Sequence, residues 1–166
     1  VARFAVSLPT GLVFSRGIGR RSIAISRDGT QVVYSGVPAG LYRRVLAQLE
    51  TTAIPGSTDF PRVTEPVFSP DGQSIVFYTD GALKRIAVAG GTAETIAPAD
   101  APYGISWDTD GIVFGQGNQG ILRVSATGGT PETLVRVNDG EQAHGPQILP
   151  GGDQVLFTLA DGTTSD

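Results

Sequence analysis

Cysteine and methionine are both absent from this chain, and histidine and tryptophan occur once each. Without cysteine there is no disulfide framework and no thiolate chemistry, an absence compatible with either the cytosol or an oxidising compartment. A single histidine leaves no metal-and-histidine constellation, so the sequence implies no metal and no cofactor. Charge is scarce as well: charged residues make up 17% of the 166, and 12 Lys and Arg stand against 16 Asp and Glu, for a formal net charge of −4. With no basic surplus to neutralise phosphates, the balance argues against nucleic acid and anionic membrane as partners. There is no run of about 18 apolar residues and no basic segment leading into a short apolar one, hence no membrane span or signal peptide within the chain. The first residues are Val1-Ala2-Arg3 without an initiator, and we expect a fragment of a longer reading frame.

Glycine and proline, by contrast, are plentiful at 23 and 11, and apolar residues make up 40%. That composition suits many short strands joined by tight turns. A repeat then organises it. Ile25-Ser26-Arg27-Asp28-Gly29, Phe68-Ser69-Pro70-Asp71-Gly72, Trp107-Asp108-Thr109-Asp110-Gly111 and Ile148-Leu149-Pro150-Gly151-Gly152 are four copies of one phrase, their closing glycines 43, 39 and 41 residues apart. Each is followed by a short apolar run ending in an aromatic: Tyr34, Phe77, Phe114 and Phe157. A period of about 40 residues is the span of one four-stranded propeller blade.

The second copy shows the plan. Pro66–Ser69 reads as a strand, Pro70–Gln73 as a turn and Ser74–Thr79 as a second strand; Asp80-Gly81 turns into Leu83–Val88, and Gly90-Gly91 into Glu94–Ala97. Asp71 accepts backbone N–H groups two residues on, and Gly72 supplies the positive φ of a tight hairpin. The outer turn recurs 38 residues later, as Gly128-Gly129-Thr130-Pro131-Glu132 against Gly90-Gly91-Thr92-Ala93-Glu94. In the first copy, the composition of Leu41–Leu49 also suits a helical turn, but its register in the repeat makes it a strand. The expected fold is therefore all-β, a partial β-propeller of about 3.5 blades of four-stranded antiparallel sheet. It forms one domain over 1–166, with blades at approximately 20–59, 62–100 and 103–138, and an incomplete one at 143–166. Ile25, Phe68, Trp107 and Ile148 hold one repeat position and are expected to pack between blades. Because the fourth copy lacks its outer strands, something must cover its edge: the N-terminal strand segment within 1–16 (Ala2–Pro9), further blades, or a second chain. Open edges pair readily, so we expect a homo-oligomer.

Motifs that carry chemistry are few. Gly115-Gln116-Gly117-Asn118-Gln119-Gly120 has the spacing of a dinucleotide-binding loop, but β-branched Ile121-Leu122-Arg123-Val124 follows where a helix must begin, which makes it a hairpin loop. Asp108-Thr109-Asp110-Gly111 supplies two acids of a calcium loop without the third or the distal Glu, and reads as the turn of the repeat. Ser26, Ser69 and Ser106 sit at or beside equivalent turn positions, where a hydroxyl serves hydrogen bonding, and Gly-x-Ser-x-Gly is absent. The arginines at 16, 20, 21, 43 and 44 read as a solvated strand face rather than an anion patch. Residues just ahead of each first strand tend to face a propeller's channel or top surface. This places His144, Tyr103, Glu65 and Arg21 as candidate ligand- or channel-facing residues, with a structural hydrogen bond as the competing role for His144.

The phrase Phe68–Phe77, with Leu83-Lys84-Arg85-Ile86 and Gly90-Gly91, resembles the TolB-type, WD-like propeller repeat of bacteria over nearly the whole chain. More narrowly, Arg3-Phe4…Leu8-Pro9, Leu41-Tyr42-Arg43-Arg44, Ile54-Pro55-Gly56-Ser57 and Gly145–Gly152 are similar to the sensor propellers of bacterial transmembrane Ser/Thr protein kinases. That resemblance implies a periplasmic or otherwise extracytoplasmic module that binds a protein or small ligand without catalysis, as part of a larger protein. Gly151 departs from the usual Asp, and no kinase signature is present. The alternative is the propeller of an enzyme, a prolyl-oligopeptidase-type peptidase or a polysaccharide lyase, gating access to a site of which this sequence shows no part.

Overall fold

The computed structural model describes residues 8, 10–14, 20–38, 40–48 and 50–161. Fifteen strands and no helix occur among them. The first sheet contains β1 (Val13–Phe14), β2 (Ile23–Ile25), β3 (Gln31–Val37), β4 (Gly40–Val45) and β5 (Thr51–Ala53). The second is β6 (Thr64–Phe68), β7 (Ser74–Thr79), β8 (Ala82–Ala87) and β9 (Glu94–Pro98); the third is β10 (Ile105–Asp108), β11 (Gly111–Gly115), β12 (Ile121–Val124) and β13 (Glu132–Val135). In the fourth, β14 (Glu141–Ile148) pairs with β15 (Val155–Asp161). Every pairing is antiparallel between consecutive strands, except that β1 joins β3 beyond the end of β2, with Val13 opposite Val37. Each meander is thus a blade, and Leu41–Val45 is strand.

The repeated phrase folds as its chemistry dictates. Ser26 Oγ donates to Asp28 Oδ1 at 2.6 Å, Asp28 takes the Thr30 N–H at 3.0 Å, and Gly29 N donates to Ser26 O at 2.9 Å. Blade two reproduces the set, with Asp71 accepting from Ser69 Oγ and from Gln73 N, and Gly72 N donating to Ser69 O. These donors hold the Asp28 carboxyl down to about 2 and lower that of Asp71, the side-chain hydroxyl contributing most in both. Blade three replaces the box with a two-residue loop between Asp108 and Gly111.

Strand β7 alternates between two interfaces. Ile75 and Phe77 pack with Val33, Leu41 and Phe68 between blades one and two, while Val76 joins Leu83, Ile96, Ile112 and Phe114 between blades two and three. Both faces being buried, the strand reads as one continuous apolar run. Val113, Ile121 and Ala143, with Ile148 and Phe157, form the interface between blades three and four. Phe68, Trp107 and Ile148 therefore all pack toward the preceding blade, as their shared position requires. Ile25 does not: it is 59% exposed, no blade standing on that side of the first sheet among the described residues. Tyr34 and Val32 on that same face are covered instead by Leu12 and Phe14, the Phe14 ring lying 5.2 Å from that of Tyr34. The described part of the N-terminal segment, Thr10–Phe14, accordingly lies on the first sheet; apart from Leu8, the stretch Ala2–Pro9 is outside the described residues.

Candidate functional site

The four innermost strands, β2, β6, β10 and β14, lie side by side in that order, and the residue three places ahead of the shared apolar position sets how closely they approach. In blades two, three and four this residue is Glu65, Gly104 and Gly145, with φ of 56°, 85° and 60°. The left-handed turn lets adjacent inner strands bond directly, Glu65 N donating to Arg21 O at 2.9 Å and Gly145 N to Tyr103 O at 2.7 Å. At Gly104 a Cβ would stand 2.6 Å from the Cα of Gly145, so only glycine fits there.

Glu65 breaks that rule. It adopts a backbone conformation that is costly for a side-chain-bearing residue, and it is 1% exposed. Its Oε1 accepts the Arg21 N–H at 3.0 Å, and its Oε2 has no hydrogen-bond partner. Burial pushes the carboxyl above its ordinary value, opposed by the Arg21 and Gly104 N–H groups and by the charges of Arg21 and Arg20. Thr64 Oγ1 beside it is likewise buried and unpartnered.

Tyr103 and His144 form the other half of the rim, their rings 5.6 Å apart and nearly perpendicular. Arg20 ties the halves together. Its guanidinium lies 4.6 Å from the Tyr103 ring centroid and 5.9 Å from that of Tyr78, and Nη1 donates to Pro102 O. Tyr103 remains 42% exposed. The sequence-derived candidates thus meet as two pairs, Arg21 with Glu65 and Tyr103 with His144. Arg20 and Tyr78 complete the cluster: the sequence assigned Arg20 to a solvated strand face, whereas it stacks on two rings, and it missed Tyr78, a strand residue of blade two brought near Tyr103 of blade three only by the blade stacking. Glu65 and His144 lie inside β6 and β14, not ahead of them as the sequence suggested, since a bulge in each strand carries pairing further toward the rim.

Below the rim, a cavity of about 290 Å³ runs between the inner strands, bordered by Arg21, Phe68, Trp107 and Gln147, with Arg27 at its far end. Arg27 Nη2 there lies 3.5 Å from Asp108 Oδ1, across two blades. The serines at the turns are engaged, Ser26 Oγ and Ser69 Oγ with their aspartates and Ser106 Oγ with the Ile148 N–H. No group of three or more His, Cys, Asp or Glu that could hold a metal occurs among the described residues. Gly115–Gly120 closes the hairpin between β11 and β12, Gln116 N donating to Gly120 O at 2.9 Å. It leads into a strand and offers no helix N-terminus to a pyrophosphate. No helix long and apolar enough to cross a membrane occurs among the described residues.

No family model matches the chain, and no curated protein matches its sequence significantly. Solved structures do match. A chain of a nidogen/laminin complex superposes with a TM-score of 0.70 at 15% identity, over 86% of this chain and 57% of that one. TolB from Acinetobacter baumannii gives 0.68 at 14% identity, over 86% and 38%. An oligogalacturonate lyase from Vibrio parahaemolyticus gives 0.63 at 15%, over 87% and 47%. The chain spans between 38% and 57% of these three proteins' chains. At these identities the likeness is one of fold, and with the blades described above it makes this chain a partial β-propeller similar to TolB.

Proposed function

We propose that the chain is a non-catalytic interaction module, the propeller part of a larger extracytoplasmic bacterial protein, which receives a segment of a partner protein at the rim formed by Arg20, Arg21, Tyr103 and His144, with Glu65 buried beneath it. The observation that carries this reading is the convergence of an exposed tyrosine, a histidine and an aromatic-stacked arginine from three different blades at one channel mouth. Tyrosine and arginine are the residues that anchor protein interfaces, because each offers a large contact area with a polar end. His144 stands in β14, and Arg20 and Tyr103, in the segments that lead into β2 and β10, are held by the Pro102 hydrogen bond and the ring contacts, so the rim is preorganised and little ordering entropy is lost on binding. The matching chain of the nidogen/laminin complex supplies a precedent for this fold within a protein–protein complex.

Selection of peptides from a random library on the immobilised chain tests the proposal. Peptides recovered should bind Tyr103→Ala and His144→Ala about tenfold or more weakly, as loss of one anchor requires. Ligands indifferent to both substitutions would refute the assignment.

A further inference from the structure

Blades one and two are joined by ten residues, 54–63, and blades two and three by six, 99–104. The longer connection packs onto the sheet it leads into. Its Phe60 lies against Phe77, the ring centroids 5.8 Å apart, and the Lys84 ammonium, from the residue paired with Phe77 in the register, stands 5.3 Å from the Phe60 ring. One blade on, the place of Lys84 belongs to Leu122, paired with Phe114. There the shorter connection supplies no covering ring: its one aromatic, Tyr103, is held at the rim against His144 and Arg20.

What stands beside Leu122 instead is an open groove of about 540 Å³, bordered by Pro98, Ala99 and Pro131 as well, between two complete four-stranded blades. Asp100, Gln116 and Gln119 give it polar side chains. Its walls are fixed to one another. Gln116 clamps the backbone of Asp100 at both polar groups, Oε1 accepting the Asp100 N–H at 2.9 Å and Nε2 donating to Asp100 O at 2.6 Å. The hairpin Gly115–Gly120 thereby ties the exit of blade two to blade three. The Asp100 carboxylate itself is exposed and accepts no hydrogen bond from the described residues. Groove and rim adjoin, since Tyr103 N donates at 3.0 Å to Gly115 O, the residue before Gln116.

We propose that this groove is a second anchoring site for the partner segment received at the rim, and that it takes an aromatic side chain with a Lys or Arg close behind it in sequence. The ring packs on Leu122 in the place that Phe60 fills one interface earlier, and the cation pairs with Asp100. The chain's own Phe60-Pro61-Arg62 has this pattern. An apolar concavity with a few polar groups at its margin suits such a ligand. The inference rests on the rim as the place where the segment enters, yet the two sites share no side chain and can fail separately.

The test titrates the ¹⁵N-labelled chain with a peptide of the sequence 57–63 and follows the amide signals. Saturable shifts are expected at Ala99, Asp100, Gln119 and Leu122. Phe60→Ala in the peptide, or Gln119→Trp in the chain to fill the groove, should weaken binding about tenfold or more, as loss of one buried ring requires. Asp100→Asn should weaken it about two- to fivefold at low salt, the range of an exposed ion pair. Both chain positions are exposed, and unaltered signals away from the groove verify that the variants fold. Absence of saturable shifts, or affinity indifferent to Gln119→Trp, overturns the proposal. Shifts centred on Phe77 and Lys84 do so too, because the peptide would then have displaced Phe60. Shifts confined to Tyr103 and His144 would place the peptide at the rim, overturning the groove assignment and leaving that of the rim.

Discussion

Phe77, Phe114 and Phe157 share one repeat position but differ in what covers them, so replacing each by alanine measures the blade stacking directly. Phe77 is wholly buried between blades one and two, its ring 5.8 Å from that of Phe60, and Phe114 is wholly buried between blades two and three. Truncating a phenylalanine in such a core costs about 3–5 kcal/mol, from lost transfer free energy and the cavity left behind. Phe157 lies in the two-stranded fourth sheet and is covered only in part. Its loss should therefore cost less than about 2 kcal/mol. At roughly 2–4 °C per kcal/mol for a chain of this length, the first two variants should melt about 6–20 °C below the wild type and the third less than about 8 °C. Urea unfolding followed by far-UV circular dichroism and by Trp107 fluorescence gives the same ordering in midpoints. Three equal losses, or the largest at Phe157, would refute the reasoning, because the residue type is constant and only the flanking blades change.

Three further outcomes follow from the channel rim and the repeated turn. Burial raises the Glu65 carboxyl above its ordinary 4.5, so its ionisation destabilises the folded state as pH climbs through the raised value, while below 4.5 both states are protonated and the effect vanishes. Glu65→Gln should accordingly gain in urea midpoint over wild type at pH 7.5 and lose that gain at a pH well below 4.5; parallel profiles would contradict it. Asp28 behaves oppositely: its carboxyl is held at about 2 against an ordinary 3.8, so its contribution is whole above pH 4 and is lost as pH falls toward 2. Asp28→Asn should flatten the acid limb of the stability profile in that window, as read by circular dichroism. Gly104→Ala must place a Cβ 2.6 Å from the Gly145 backbone at a φ of 85°, whereas Gly145→Ala, at 60°, meets open space. Both carry left-handed strain of roughly 1 kcal/mol, and the first adds a backbone clash that should take its loss to about 3 kcal/mol or more in denaturant unfolding.

Much of this architecture was legible because its signals are local. The serine, aspartate and glycine of the first two turns lie within a few residues of one another, and their hydrogen bonds need no tertiary context, so Ser26-Arg27-Asp28-Gly29 and Ser69-Pro70-Asp71-Gly72 announce hairpins by themselves. The apolar run after each turn reads as a strand buried on both faces, and its recurrence fixes the blade period. What was not legible depends on neighbours the sequence does not order in space. Ile25 carries the same pattern as Phe68 yet is exposed, because a repeat position states which face a side chain takes and not whether a blade stands opposite. The rim was half visible: position relative to the first strand singled out Arg21, Glu65, Tyr103 and His144. The stacking of Arg20 against Tyr78 and Tyr103 spans three blades, and no spacing in the chain encodes it. Position singled out Glu65 but said nothing of its conformation or burial. That it holds a glycine-like conformation, buried, with one oxygen unpartnered, follows only from the inner strands pressing in on both sides.

The central claim is that the chain is a row of small sheets stabilised by the blades on either side, and native-state hydrogen exchange reads that stability strand by strand. The slowest amides should be those of Ser74–Thr79 and Gly111–Gly115, each with a blade on both faces, and the second strand of the fourth sheet, Val155–Asp161, should exchange far faster. Protection in Val155–Asp161 equal to that in Ser74–Thr79, or rapid exchange in the two middle sheets, would contradict the account.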